Sequence, residues 1–153
     1  MAEDDVDFVV AAYRDEGAWT VVELAPRLGE DFDGFAEALT RFPSEVGVLG
    51  LASVNDDFFV IVRRSGDHVR ALLSDGTAIY DFPLAADLAD AVHAPDPDED
   101  PTPIGDLEIV SDLGLASVEL GLLCEDDELF PDEALADLAE TLGFGEQFEA
   151  IVG

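Results

Sequence analysis

Two histidines, one cysteine and thirty-seven acids are the side chains of this 153-residue chain that could do chemistry. His68 and His93 have no further metal ligand at the spacings of an HExxH or HxE…PCxxC site, so a strand histidine and a surface histidine are expected. Cys124 has no base near it in sequence and is followed by Glu125, Asp126 and Asp127. Acids beside a thiol raise its pKa, the reverse of what a nucleophile needs, so a buried structural thiol is expected. GxSxG, Walker and GxGxxG loops are missing, and Gly47, Gly50 and Gly105 read as turn or bulge residues.

The carboxylates form three clusters. Asp56 and Asp57 fall in a predicted hairpin turn, Asp126, Asp127 and Glu128 end a predicted helix, and Asp96, Asp98 and Asp100 alternate with prolines. Either of the first two could hold Ca²⁺ or Mg²⁺ weakly. The third has the opening spacing of an EF-hand. Pro101 stands where the loop needs glycine, however, and Leu107 stands where it needs the bidentate Glu, which rejects that reading. Solvated acidic loops are expected, with no metal, no cofactor and no catalysis. An enzyme working through carboxylates at Asp56, Asp57 or Asp127 is the least favoured alternative.

Charge is the dominant property. Thirty-seven acids oppose six arginines and no lysine, a formal net charge of −31. Arg70 is the last of the six, yet eighteen acids lie between Ala94 and the end. Such a surface repels nucleic acid and anionic lipid and steers basic protein surfaces toward itself. Solubility alone is the plain alternative explanation, though it accounts least well for the C-terminal asymmetry. With 48% hydrophobic residues and ten phenylalanines the chain can still bury a core. No apolar run approaches a membrane span, no basic-then-apolar leader opens the sequence, and one cysteine cannot form an internal disulfide. A cytoplasmic location follows as the expectation.

These residues must be carried by elements. Val6–Tyr13 and Trp19–Leu24 read as a hairpin around Asp15-Glu16-Gly17. Phe32, Phe35, Ala36, Leu39 and Phe42 mark one face of a helix that Pro43 ends. Three strands follow, over Val46–Val54, Phe58–Arg64 and Asp67–Ser74, and then a helix opened by Pro83 with Leu84, Leu88 and Val92 on its apolar face. The fold class is therefore α+β: a five-stranded antiparallel sheet with helices, in the order ββαβββα shared by profilin, longin and roadblock-like folds. That domain is expected over 1–93. Ala94–Thr102, APDPDEDPT, alternates prolines with acids and reads as an extended linker, taken over 94–106. A small acidic helical unit fills 107–153, with Leu115, Val118 and Leu122 on one stripe and Leu135, Leu138, Ala139 and Leu142 on another, closed by Gly143.

Four segments carry a resemblance: NDDFFVIVRR from Asn55, LLSDGTAIYDFPLA from Leu72, GDLEIVSDLGL from Gly105 and ELFPDEALADLAETLGFGEQFEAIV from Glu128. The chain resembles, from Phe8 to its end, the tRNA adenosine deaminase-associated proteins of actinobacteria. The resemblance implies an association and not an activity. The zinc-binding HxE and PCxxC pattern of a deaminase is missing here. A basic, RNA-processing protein is the expected partner, a tRNA adenosine deaminase foremost. Asp96, Asp98, Asp100, Asp126, Asp127 and Glu128 would supply the charge, and Leu129 and Phe130 the apolar anchor. A hydrophobic staple for the helix at Pro131 is the alternative role for Phe130. A self-associating homodimer is the second functional reading.

Overall fold

The structure, a computed structural model, describes residues 6–25, 27–28, 32–42, 47–54, 57–65, 68–80, 82–92, 103–126 and 128–152. Strands β1 (Val6–Asp15) and β2 (Ala18–Leu24) form the predicted hairpin. Helix α1 (Phe32–Ala38) tightens into a 3-10 turn at Leu39–Arg41. Strands β3 (Val48–Val54), β4 (Phe58–Ser65) and β5 (His68–Leu73) make an antiparallel meander. Helix α2 (Pro83–Ala91) starts on its proline, whose missing N–H is spared where no intrahelical acceptor exists.

The sheet has six strands where five were expected. Ile104–Gly105 forms β6, pairing with Leu73 and Leu72, so the end of the stretch read as linker closes the sheet edge. Residues 93–102 lie outside the described residues. Strand order across the sheet is β2-β1-β3-β4-β5-β6, and every neighbouring pair is antiparallel.

Both faces of this sheet are covered, which explains why β1, β3 and β4 are apolar at almost every position instead of alternating. One face meets α1 and α2: Val9, Ala52, Val60 and Val62 pack with Phe35, Leu39, Leu84 and Leu88. The other meets α4 (Pro131–Leu142) and α5 (Gly145–Val152), where Phe8, Val10, Leu51 and Ile61 share a buried cluster with Leu135, Leu138, Phe144 and Phe148. The Phe8 and Phe148 rings meet edge to face at 5.7 Å. Gly143 reverses the chain between α4 and α5 at φ 110°, a left-handed conformation that suits glycine.

Helix α3 (Ser117–Glu125) departs from the expected stripe. Leu120 is its fully buried residue, Leu123 and Cys124 are half-buried, and Val118 and Leu122 stand 73% and 63% exposed. Leu115 is buried but precedes the helix. The sequence SVELGLLCE is apolar on nearly every side, so spacing alone could not choose the inward face. Gly121 sits inside α3 with nothing within 4 Å of the place a Cβ would take. Gly121→Ala is therefore expected to stabilise the chain by about 0.5–1 kcal/mol, seen as a higher urea midpoint. A lower midpoint would mean that this site is not open.

Candidate partner-binding cleft

The turn between α3 and α4 is built by its own acids. Asp126 leaves the helix, its Oδ1 accepts the Glu128 N–H at 2.9 Å, and its carbonyl accepts the Leu129 N–H at 3.2 Å. This is an Asx turn, the local hydrogen bonding that suits Asp to chain reversals. Glu133 then reaches back from the first turn of α4 to accept the Phe130 N–H at 3.2 Å. The result points Leu129 inward, against the second core cluster, and leaves Phe130 60% exposed. Leu129, not Phe130, is the residue that packs inward before the helix.

Beside this turn lies a cleft of about 350 Å³. Phe59 lines it from β4, Ser74 from just past β5, Pro131 and Ala134 from α4, and Phe130 from the turn. Four acids line it as well: Asp57, Asp75, Glu125 and Asp126. Ser74 Oγ accepts the Phe59 N–H at 2.9 Å and fixes the ends of β4 and β5 together. Asp75 accepts both the Thr77 N–H at 2.9 Å and its hydroxyl at 2.6 Å. Of the residues singled out in the sequence, the cleft brings together Asp57, Cys124, Asp126, Leu129 and Phe130, with exposed Glu128 on the same turn. Asp127, Asp96, Asp98, Asp100, Asp56 and His93 lie outside the described residues. Asp57 and Asp75 join the cleft through strand pairing, a relation that no local pattern announces.

Cys124 also lines the cleft, half-buried. Burial, and secondarily the charge of Glu125, push its thiol up to about 12. It stays protonated near neutral pH and is a poor nucleophile. His68 is exposed at the start of β5. Among the described residues no three His, Cys, Asp or Glu side chains gather to hold a metal ion, and no helix is long and apolar enough to cross a membrane.

The acids after Arg70 are not all unopposed. Arg63, buried on β4, grips Asp112 with both arms of its guanidinium, Nη1 at 2.6 Å and Nη2 at 2.9 Å, and donates to the Ile109 carbonyl at 2.8 Å. Arg70 donates to Asp106 at 2.6 Å and to the Glu108 carbonyl at 3.0 Å. Two strand arginines thus hold the segment that leads from β6 into the acidic helices. The hydrogen bonds from Arg63 hold the Asp112 carboxyl below its ordinary range, against a partial desolvation that acts the other way.

Residues 7–145 match the family described as Rv3753c-like tRNA adenosine deaminase-associated protein. A relative, protein Rv3753c of Mycobacterium tuberculosis, is 37% identical over 150 residues, covering 95% of this chain and 87% of that protein. No solved structure matches, and the expected profilin, longin and roadblock-like order of five strands is not fully met, since a sixth strand, Ile104–Gly105, follows α2. The sequence match covers the sheet and helices α1–α4 as well as the acidic turn. The chain belongs to the Rv3753c-like tRNA adenosine deaminase-associated protein family.

Proposed function

We propose that this chain is a non-catalytic accessory protein that binds a basic protein, the tRNA adenosine deaminase of its family's description, and modulates that enzyme's access to tRNA. The observation that carries the reading is an exposed Phe130 on an acidic turn at the edge of an acid-lined cleft. A protein that grips tRNA needs a basic surface, and complementary charge speeds and orients encounter with such a surface. Charge alone gives rate more than affinity, so an aromatic anchor beside the acids is the combination a specific contact needs. A protonated thiol and a sequence without the deaminase zinc pattern both favour an accessory role over a catalytic one.

The test is co-elution of the purified chain with a tRNA adenosine deaminase from the same organism at moderate salt. A complex is expected, with affinity lowered about tenfold or more by Phe130→Ser. That substitution is not expected to destabilise the fold, since the ring is mostly in solvent and serine suits the N-cap position that Phe130 holds. Absence of a complex at both low and moderate salt would sink the reading.

A further inference from the structure

A second surface, which shares Leu123 with the cleft, has the makings of a docking groove. Helices α3 and α4 lie side by side and leave a groove of about 560 Å³ between them. Its apolar lining is Leu115, Leu122 and Leu123, and its acidic lining is Glu119, Asp137 and Glu140. Each wall follows helical spacing: Glu119, Leu122 and Leu123 fall at i, i+3 and i+4 on α3, and Asp137 and Glu140 lie three apart on α4. Leu122 is 63% exposed, and Val118, four residues before it, is 73% exposed. Two large aliphatic residues in water on one helix, beside a groove with acids on both walls, make an amphipathic surface that none of the described residues covers.

We propose that this groove takes an amphipathic helix of a basic partner, whose apolar face covers Leu122 and Val118 while Arg or Lys on its flanks meet Glu119, Asp137 and Glu140. This rests on the reading that the chain works by binding a basic protein. Charge decides the occupant. A second copy would bring the same negative groove and a net charge of −31, with six arginines in all, of which Arg63 and Arg70 are held by Asp112 and Asp106. An anionic lipid surface would be repelled for the same reason. A cationic helix meets both the apolar lining and the acids, the helix-in-groove mode of recognition.

The experiment uses the full chain and a labelled synthetic helical peptide with leucines along one face and arginines on its flanks. Its control is a peptide of identical composition with the leucines scattered. Fluorescence anisotropy is expected to show saturable binding of the first, weakened about tenfold or more in the control and in a Val118→Ser, Leu122→Ser double variant. Because both side chains are mostly in solvent, the variant should keep the wild-type melting temperature. Equal binding of the two peptides, or undiminished binding by the variant, overturns the groove. So does a wild-type dimer in light scattering that the variant converts to monomer, since a second copy would then be the occupant. The two proposals fail separately: loss of deaminase co-elution removes the accessory role, whereas the peptide result decides the groove alone.

Discussion

Gly50→Ala is expected to lower stability by about 2–3 kcal/mol, or roughly 4–12 °C in melting temperature. Gly50 sits in the middle of β3, paired with Ala11 on one side and Val62 on the other. A Cβ there would stand 2.5 Å from Phe35 Cε1, 2.7 Å from Cζ and 3.1 Å from Leu39 Cδ1. Neither neighbour can yield easily, because Phe35 is 0% and Leu39 1% exposed in a filled layer. The ring of Phe35 therefore uses the missing side chain as its seat, and α1 lies close to the sheet because of it. Urea denaturation gives the size of the loss. Adding Phe35→Leu should return part of it, a coupling between the two sites that a general weakening of β3 would not produce. A Gly50→Ala protein with the wild-type midpoint would show that the ring does not sit over this residue.

Asp112→Ala is expected to cost about 2 kcal/mol near neutral pH, more than Arg63→Met at about 1 kcal/mol. The asymmetry follows from burial: the Arg63 side chain is 7% exposed and that of Asp112 58%. Removing Asp112 leaves a guanidinium charge inside the protein with less to oppose it, whereas removing Arg63 leaves a carboxylate that water can solvate. Exposure of Asp112 keeps both figures below those for a fully buried pair. The pH dependence has a definite sign. A carboxyl whose pKa is lowered in the folded state stabilises the fold above its ordinary value of 3.8, and that contribution is lost as pH falls through the depressed value. The gap between wild type and Asp112→Ala should be constant above about pH 5 and narrow below 3.8. Parallel stability curves down to acid pH would show that the ion pair is not the source.

Punctuation made much of the architecture readable. Pro83 and Pro131 open α2 and α4, Gly143 closes α4, and Glu16-Gly17 turns the first hairpin. The amphipathic pattern of Phe32, Phe35, Ala36 and Leu39 likewise declared its buried face. What stayed hidden depends on partners distant in sequence. A two-residue strand such as Ile104–Gly105 has no periodicity of its own and exists through the edge of β5. The inward face of α3 is selected by its packing beside α4, where Leu120 joins the second core cluster, since its sequence offers apolar residues in every direction. The same holds for the site. The Asp126 turn and the exposed Phe130 could be read locally, but their meeting with Asp57, Asp75 and Phe59 needed the pairing of β4 with β5.

The coverage of both sheet faces has a consequence for how the chain is made. Phe8, Val10, Leu51 and Ile61 are synthesised well before Leu135, Leu138, Phe144 and Phe148, which share their buried cluster and cover them. A growing chain that has completed its meander thus carries one bare apolar sheet face until α4 and α5 have been made. During that interval the acids that precede α4, twelve of them from Ala94 to Glu128, keep neighbouring nascent chains apart by mutual repulsion. The same negative charge that covers the finished protein thus also holds unfinished copies apart.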